Sequence, residues 1–165
     1  MVLGGDATSW GLGGQTCCTI SKDGTWQAWD MDVDFERRAA ARPIASGSYT
    51  PDGDTKAAIC ISPDRSVVAI GSGRVLTFFA VRTGESLPII DAHPDGSINS
   101  IEFDSSGEYL LTCGGFDRKL SIWHNVPGKR ELLVELQAKL LNANTTSKAR
   151  IQQRIDQVQS SIAGF

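Results

Sequence analysis

His93 and Asp117 are the pair of residues whose types could most readily do chemistry together in this chain. An imidazole oriented by a carboxylate is the base half of a nucleophilic triad. No adjacent nucleophile is apparent beside them in the sequence, so a structural role is the expectation. The run WDMDVDFE sets Asp30, Asp32, Asp34 and Glu36 at alternate positions, like the start of a calcium loop. Such a loop needs glycine for its sharp turn, and position 35 is Phe, so a solvated acidic face is expected instead. Gly71-Ser72-Gly73-Arg74 has the look of a phosphate loop. It stands between strand-like runs with no helix to receive a phosphate, which predicts a tight turn.

The four cysteines, Cys17, Cys18, Cys60 and Cys113, contain no Cys-x-x-Cys pair, and only two histidines, His93 and His124, could join them. That argues against a structural zinc site and for buried free thiols in a reducing compartment. No metal, cofactor or small-molecule substrate is expected. The formal net charge is −3, unevenly spread. From Pro127 onward six basic residues (Lys129, Arg130, Lys139, Lys148, Arg150, Arg154) face three acidic ones, a local +3 that leaves −6 on the rest. An acidic chain of this kind is not built mainly to neutralise phosphate. There is no apolar run long enough to span a bilayer, and MVLGGDATSWGLGG lacks the features of a secretory leader. As written, the sequence reads as cytoplasmic.

The elements that must position these residues are short strands. KAAICIS, VVAIGSG, RVLTFFAV and LPIID are β-branched or aromatic and are separated by Gly, Pro, Asp and Ser. The pattern restarts at SINSIEFDSSGEYLLTCGGFDRKLSIW, and helical periodicity is absent between about residues 56 and 124. Aligning SKDGTWQAWD with GFDRKLSIWH places an Asp six residues before a Trp in both, Asp23 to Trp29 and Asp117 to Trp123. In the intermediate unit Gly73 and Phe79 take those places, so the aromatic anchors stand 50 and 44 residues apart. Four short strands per period of about 40 to 45 residues make a propeller blade. The longer first interval predicts an inserted loop at about 31–56. Beyond residue 126, Leu132, Leu136 and Leu140, then Ile151, Ile155, Val158 and Ile162, recur at helical spacing. A helical hairpin is expected over 127–165, with Ser147 as the second N-cap and Asn144-Thr145-Thr146 as a turn rather than a glycosylation acceptor.

DAHPDGSINSIEFDSSGEYLLTCGGFDRKLSIWH resembles a WD40 repeat. His93 stands at the position of the Gly-His pair, Asp117 at the turn aspartate and Trp123 at the Trp of a Trp-Asp dipeptide. The first unit keeps Trp29-Asp30 literally. The resemblance implies a buried hydrogen-bonded network of His93, Asp117, Trp123 and a hydroxyl, with Thr112 the candidate although its interval to Asp117 is one residue longer than usual. Asp23, Trp29 and Asp30 would hold the matching places in the first unit. SKDGTWQAWDMDV and the tail from HNVPGKRELLVELQ resemble the transducin beta-like branch of the family. That narrower resemblance implies a non-catalytic protein-binding scaffold, associated with the endoplasmic reticulum in a full-length member. It also implies a role in stress and translation control, with a stress-response kinase and RNA or the ribosome as partners.

The fold expected is therefore all-β: an incomplete WD40 propeller of about two and a half blades over 16–126, then two amphipathic helices over 127–165. Residues 1–15 match the repeat poorly and are expected to be irregular, making SKDGTWQAWD the back half of a blade whose front half is missing. An arc this short leaves sheet edges open, so the isolated chain should be marginal or pair those edges with something else. Two other roles compete with the scaffold: a helical docking or oligomerisation element, and an RNA or ribosome contact through the basic tail residues.

Overall fold

The computed structural model describes residues 7–13, 16–31, 41–53 and 56–164. It is built of three antiparallel sheets followed by two helices. The first sheet runs β1 (Ala7–Gly13), β2 (Thr16–Ser21), β3 (Thr25–Asp30), β4 (Arg42–Ser48) in spatial order. The second repeats that order with β5 (Ala58–Ile61), β6 (Val67–Ser72), β7 (Val75–Ala80) and β8 (Ser86–Asp91). The third has β9 (Ile98–Phe103), β10 (Tyr109–Gly114) and β11 (Leu120–His124). Successive first strands lie together, β1 against β5 and β5 against β9.

Strand periodicity explains how one sheet serves two interfaces. A strand points successive side chains to opposite faces. In β6, Val68 and Ile70 turn toward the first sheet while Val67 and Ala69 turn toward the third. In β7, Phe79 joins the first cluster and Leu76 and Phe78 the second. All six residues of β6 are buried, so Val67 to Gly71 form a continuous apolar run rather than an alternation, closed by the buried Ser72. Each fully buried Phe contributes roughly 1.5–3 kcal/mol. Across the first interface Trp26 packs against Phe79 with ring centroids 5.1 Å apart and planes tilted by 49°.

Three expectations need correcting. Residues 7–13 are not irregular; they form β1, which pairs along β2 from Ala7 opposite Ser21 to Gly13 opposite Thr16. Thr8, Trp10 and Leu12 occupy alternate positions in sequence, a two-residue period masked by the small residues around them. SKDGTWQAWD is thus the middle of a four-stranded sheet rather than its surviving back half. The inserted loop is also shorter than expected, because residues 42–48 form β4, an outer strand whose Pro43 and Gly47 hide its type.

Helix α1 (Val126–Asn142) starts two residues after β11. The Asn125 side chain accepts from Gly128 N at 2.9 Å and donates to Gly107 O at 2.8 Å, capping the helix and pinning it to the β9–β10 turn. Helix α2 (Thr145–Ala163) is capped by Asn144, which accepts from Ser147 N at 3.0 Å. Ser147 therefore lies inside the first turn and is not the cap. Among the described side chains of α2, Ile155 and Val158 are the buried ones. Among the described residues no helix is long and apolar enough to cross a membrane.

Candidate functional site

The turn between β10 and β11 brings together residues from three places in the third sheet. His93 lies in the link from β8 to β9 and is 1% exposed. Its Nδ1 is 2.6 Å from Asp117 Oδ2, and its Nε2 is 2.8 Å from Thr112 Oγ1. Trp123, on β11, donates from Nε1 to Thr112 Oγ1 at 3.0 Å. One arrangement of protons satisfies the whole chain. The indole donates to the Thr112 oxygen, the Thr112 hydroxyl donates to Nε2, and Nδ1–H donates to the carboxylate. The hydrogen bond from His93 holds the Asp117 carboxyl below the usual carboxylate range. The backbone N–H of Lys119 supports it at 3.1 Å.

Gly114 makes this closure sterically feasible. A Cβ built there would lie 1.7 Å from Asp117 Oδ1 and 2.6 Å from His93 Nδ1. Only a residue without a side chain lets the turn fold back far enough for Asp117 to reach the imidazole.

The order Thr112–His93–Asp117 is that of a nucleophilic triad. No nucleophile adjoins His93 in sequence, but the structure puts the Thr112 hydroxyl beside it. That hydroxyl is sealed: Thr112 is 0% exposed and its oxygen is occupied by Trp123. A buried polar network whose members are all paired fixes geometry.

The first sheet holds half of this arrangement. Trp29 donates from Nε1 to Thr19 Oγ1 at 3.1 Å, as Trp123 does to Thr112. In both sheets the hydroxyl sits two residues along from the residue opposite the Trp. Asp23 points elsewhere. It is exposed and accepts from Thr25 N at 2.9 Å and Thr25 Oγ1 at 2.6 Å, and the Thr25 hydroxyl lowers its pKa. Asp30 ends β3 opposite Thr16 and Arg42. Thr19 was missed by sequence reasoning; its place two residues from Cys17, the partner of Trp29, was the available signal. In the second sheet Phe79 pairs with Val68, and Ile70 takes the hydroxyl's place.

The basic residues of the tail are divided. Lys129 and Arg154 line a cavity of about 450 Å³ between the helices and the turns carrying Asp64 and Glu108. Lys148 lines a second hollow of about 520 Å³ with Leu140 and Leu141, toward the loop that joins the helices. Lys139 is ion-paired with Glu135, while Arg130 and Arg150 are exposed. Glu131 is 3.7 Å from Arg82, tying α1 to the β7–β8 turn.

None of the described cysteines is in a disulfide; Cys18 and Cys60 are buried, Cys17 and Cys113 half-buried. Burial pushes the Cys60 thiol well above its ordinary range. Among the described residues no three His, Cys, Asp or Glu side chains gather as a metal site. Asp32, Asp34 and Glu36 of the acidic run lie outside the described residues. Gly71-Ser72-Gly73-Arg74 ends β6 and turns into β7, with Gly73 at φ +55°.

Residues 84–124 match the family model of the WD domain, G-beta repeat. That span runs from the β7–β8 turn to the end of β11 and contains His93, Thr112, Asp117 and Trp123. The chain is 31% identical over 145 residues to transducin beta-like protein 2 of Mus musculus, covering 87% of this chain and 32% of the relative. Its Homo sapiens counterpart is likewise 31% identical, over 146 residues. Cilia- and flagella-associated protein 52 of Chlamydomonas reinhardtii is 28% identical over 67% of this chain and 16% of that protein. The chain thus spans about a third of the length of its transducin beta-like relatives. Among solved structures, a chain of the mitotic checkpoint complex superposes with a TM-score of 0.53 at 20% identity. The superposition covers 72% of this chain and 35% of that one. The chain carries a WD40 repeat, has the expected partial-propeller fold with a helical hairpin, and resembles transducin beta-like protein 2 over most of its length.

Proposed function

We propose that this chain is a non-catalytic protein-interaction scaffold, with the His93–Thr112–Asp117–Trp123 network acting as a clamp on blade geometry. The observation that carries this reading is the burial of that network. The most reactive constellation is closed to any substrate, while turns, helices and sheet edges face outward. A fluorophosphonate probe, which labels activated hydroxyl nucleophiles, should leave Thr112 unmodified in the folded chain. An adduct on Thr112 would overturn the non-catalytic reading.

The finer role we propose is an adaptor in endoplasmic-reticulum stress and translation control, with a stress-response kinase as protein partner and RNA or the ribosome as a further contact. Its support is the resemblance to transducin beta-like protein 2 along 87% of the chain. Immobilised chain incubated with detergent-solubilised reticulum should retain the kinase and ribosomal RNA. Retention of neither sinks this role and leaves the scaffold reading standing.

A second reading, a docking or oligomerisation element in the helical hairpin, is favoured by the exposure of Leu141 (83%) and Val134 (42%). Concentration-dependent mass that Leu141→Glu abolishes is its expected signature. The same mass in both chains would refute it.

A further inference from the structure

We propose that the far half of the helical hairpin is a lipid-facing surface, which lays the outer stripe of α1 and the cations beside it on an anionic bilayer. The inference rests on the docking reading of the hairpin and gives that reading its partner. Helix α1 is apolar on two sides. Leu132, Leu136 and Leu140 recur every four residues and are half-buried, with Leu132 and Leu140 lying along α2. Val134, Ala138 and Leu141 recur at spacings of 4 and 3, which puts them on one face of the helix. All three are exposed, Leu141 by 83% and Val134 by 42%. This second stripe runs for about 10 Å along the axis and has no cover among the described residues.

Charge decides what covers it. Between Glu135 and Asp156 the chain carries Lys139, Lys148, Arg150 and Arg154 and no Asp or Glu. Lys139 is paired with Glu135. Lys148 and Arg150 are exposed and form no ion pair among the described residues. Lys148 borders the hollow of about 520 Å³ that Leu140, Leu141 and Ala149 also line, so a cation stands beside the exposed leucine. The chain before Pro127 carries −6 and is repelled by a negative surface, which leaves the hairpin as the part that approaches it.

An aliphatic stripe is stabilised in an acyl phase, and cations beside it are stabilised by phosphate. A bilayer with acidic headgroups offers both in one plane. A single RNA strand is held by aromatic stacking as well as by charge. Residues 126–164 contain no Phe, Tyr or Trp, so the surface suits lipid better than unpaired bases.

The test is sedimentation of the 165-residue chain with vesicles of phosphatidylcholine, alone or with about 30% phosphatidylserine. At low salt the chain should pellet with the anionic vesicles and stay in solution with the neutral ones. Lys148→Glu combined with Arg150→Glu should weaken that partition at least about tenfold, since each cation near the surface is worth about fivefold. Leu141→Ser should weaken it about tenfold, and Leu141→Phe, which stays apolar, should retain it. These changes fall on exposed side chains, and unchanged far-ultraviolet circular dichroism checks that the helices persist. Should a variant lose helix, the native chain alone decides: about 0.5 M salt should release it from the anionic vesicles. Equal pelleting with neutral vesicles, pelleting with neither, or anionic binding that salt and the variants leave intact overturns the proposal. So does capture of a single-stranded RNA oligomer without capture by anionic vesicles, which would assign the cations to nucleic acid. If the chain ignores vesicles while its concentration-dependent mass still responds to Leu141→Glu, the lipid surface falls and self-association of the hairpin stands.

Discussion

The first and third sheets carry the same Trp-to-hydroxyl bond but differ in what lies behind it. In the third, Thr112 passes the bond on to His93 and Asp117, joining the β8–β9 link, β10, the β10–β11 turn and β11 into one unit. In the first, among the described residues, the bond from Trp29 ends at Thr19, and Asp23 accepts from Thr25 within its own turn. The reason lies in sequence. The chain's histidines are His93 and His124, and the second of these is on β11. With no imidazole to accept from Thr19, an aspartate six residues before Trp29 has nothing to hold. Network completeness, rather than repeat identity, should set how each sheet responds to damage.

The largest expected effect comes from closing the space that lets the network form. Gly114→Ala drives a methyl into Asp117 and His93, combining overpacking with orphaned buried polar groups, and should destabilise the third sheet by about 3 kcal/mol. Amide exchange in β10 reads this directly. Gly115→Ala is the matched control, because its added Cβ would meet Ser97 Oγ at 3.7 Å, an ordinary contact. It should cost under about 0.5 kcal/mol. Equal losses at both positions would show that the network does not hold the turn.

Thr112→Val comes next. It keeps the shape but strips the acceptor from Trp123 and the donor from His93, both in buried surroundings. A loss of about 2 kcal/mol is expected, with an upfield shift of the Trp123 indole proton. A neutral result would mean that the hydroxyl merely fills space.

Acid separates the two sheets without mutation. The folded Asp117 carboxyl titrates below its unfolded value, so its contribution is fully present above about pH 3.9 and is lost as pH falls through the lower folded value. The Trp123 indole signal should follow that loss, through His93 and Thr112. Asp23 is also lowered, but by Thr25, so its protonation should be confined to the β2–β3 turn and leave Trp29 unmoved. Parallel movement of both indoles would erase the distinction.

How far these features could be read from sequence follows from the same physics. The second sheet was legible because β6 is buried on both faces and must be continuously apolar. The third was legible because His93, Asp117 and Trp123 stand at spacings that the fold requires. β1 and β4 were not: glycine, alanine, serine and proline carry little β signal, and these strands form through pairing with β2 and β3. Thr112 was legible only as a candidate, since reaching Asp117 across a longer turn depends on a contact at Gly114 that no spacing reveals. Thr19 could not be singled out at all, because a lone threonine on a strand acquires meaning only from the register that sets it beside Trp29.

Thr19 also supplies the smallest and most discriminating prediction. Thr19→Val removes the acceptor of a single indole, in a side chain that is 9% exposed rather than sealed. Water can approach the orphaned Trp29 N–H, so the cost should be about 1 kcal/mol, roughly half that of Thr112→Val. The two losses should add in the double variant, because the sites share no partner. If Thr19→Val instead matches Thr112→Val, the work of holding a sheet is done by the indole bond alone, and His93 and Asp117 add nothing to it.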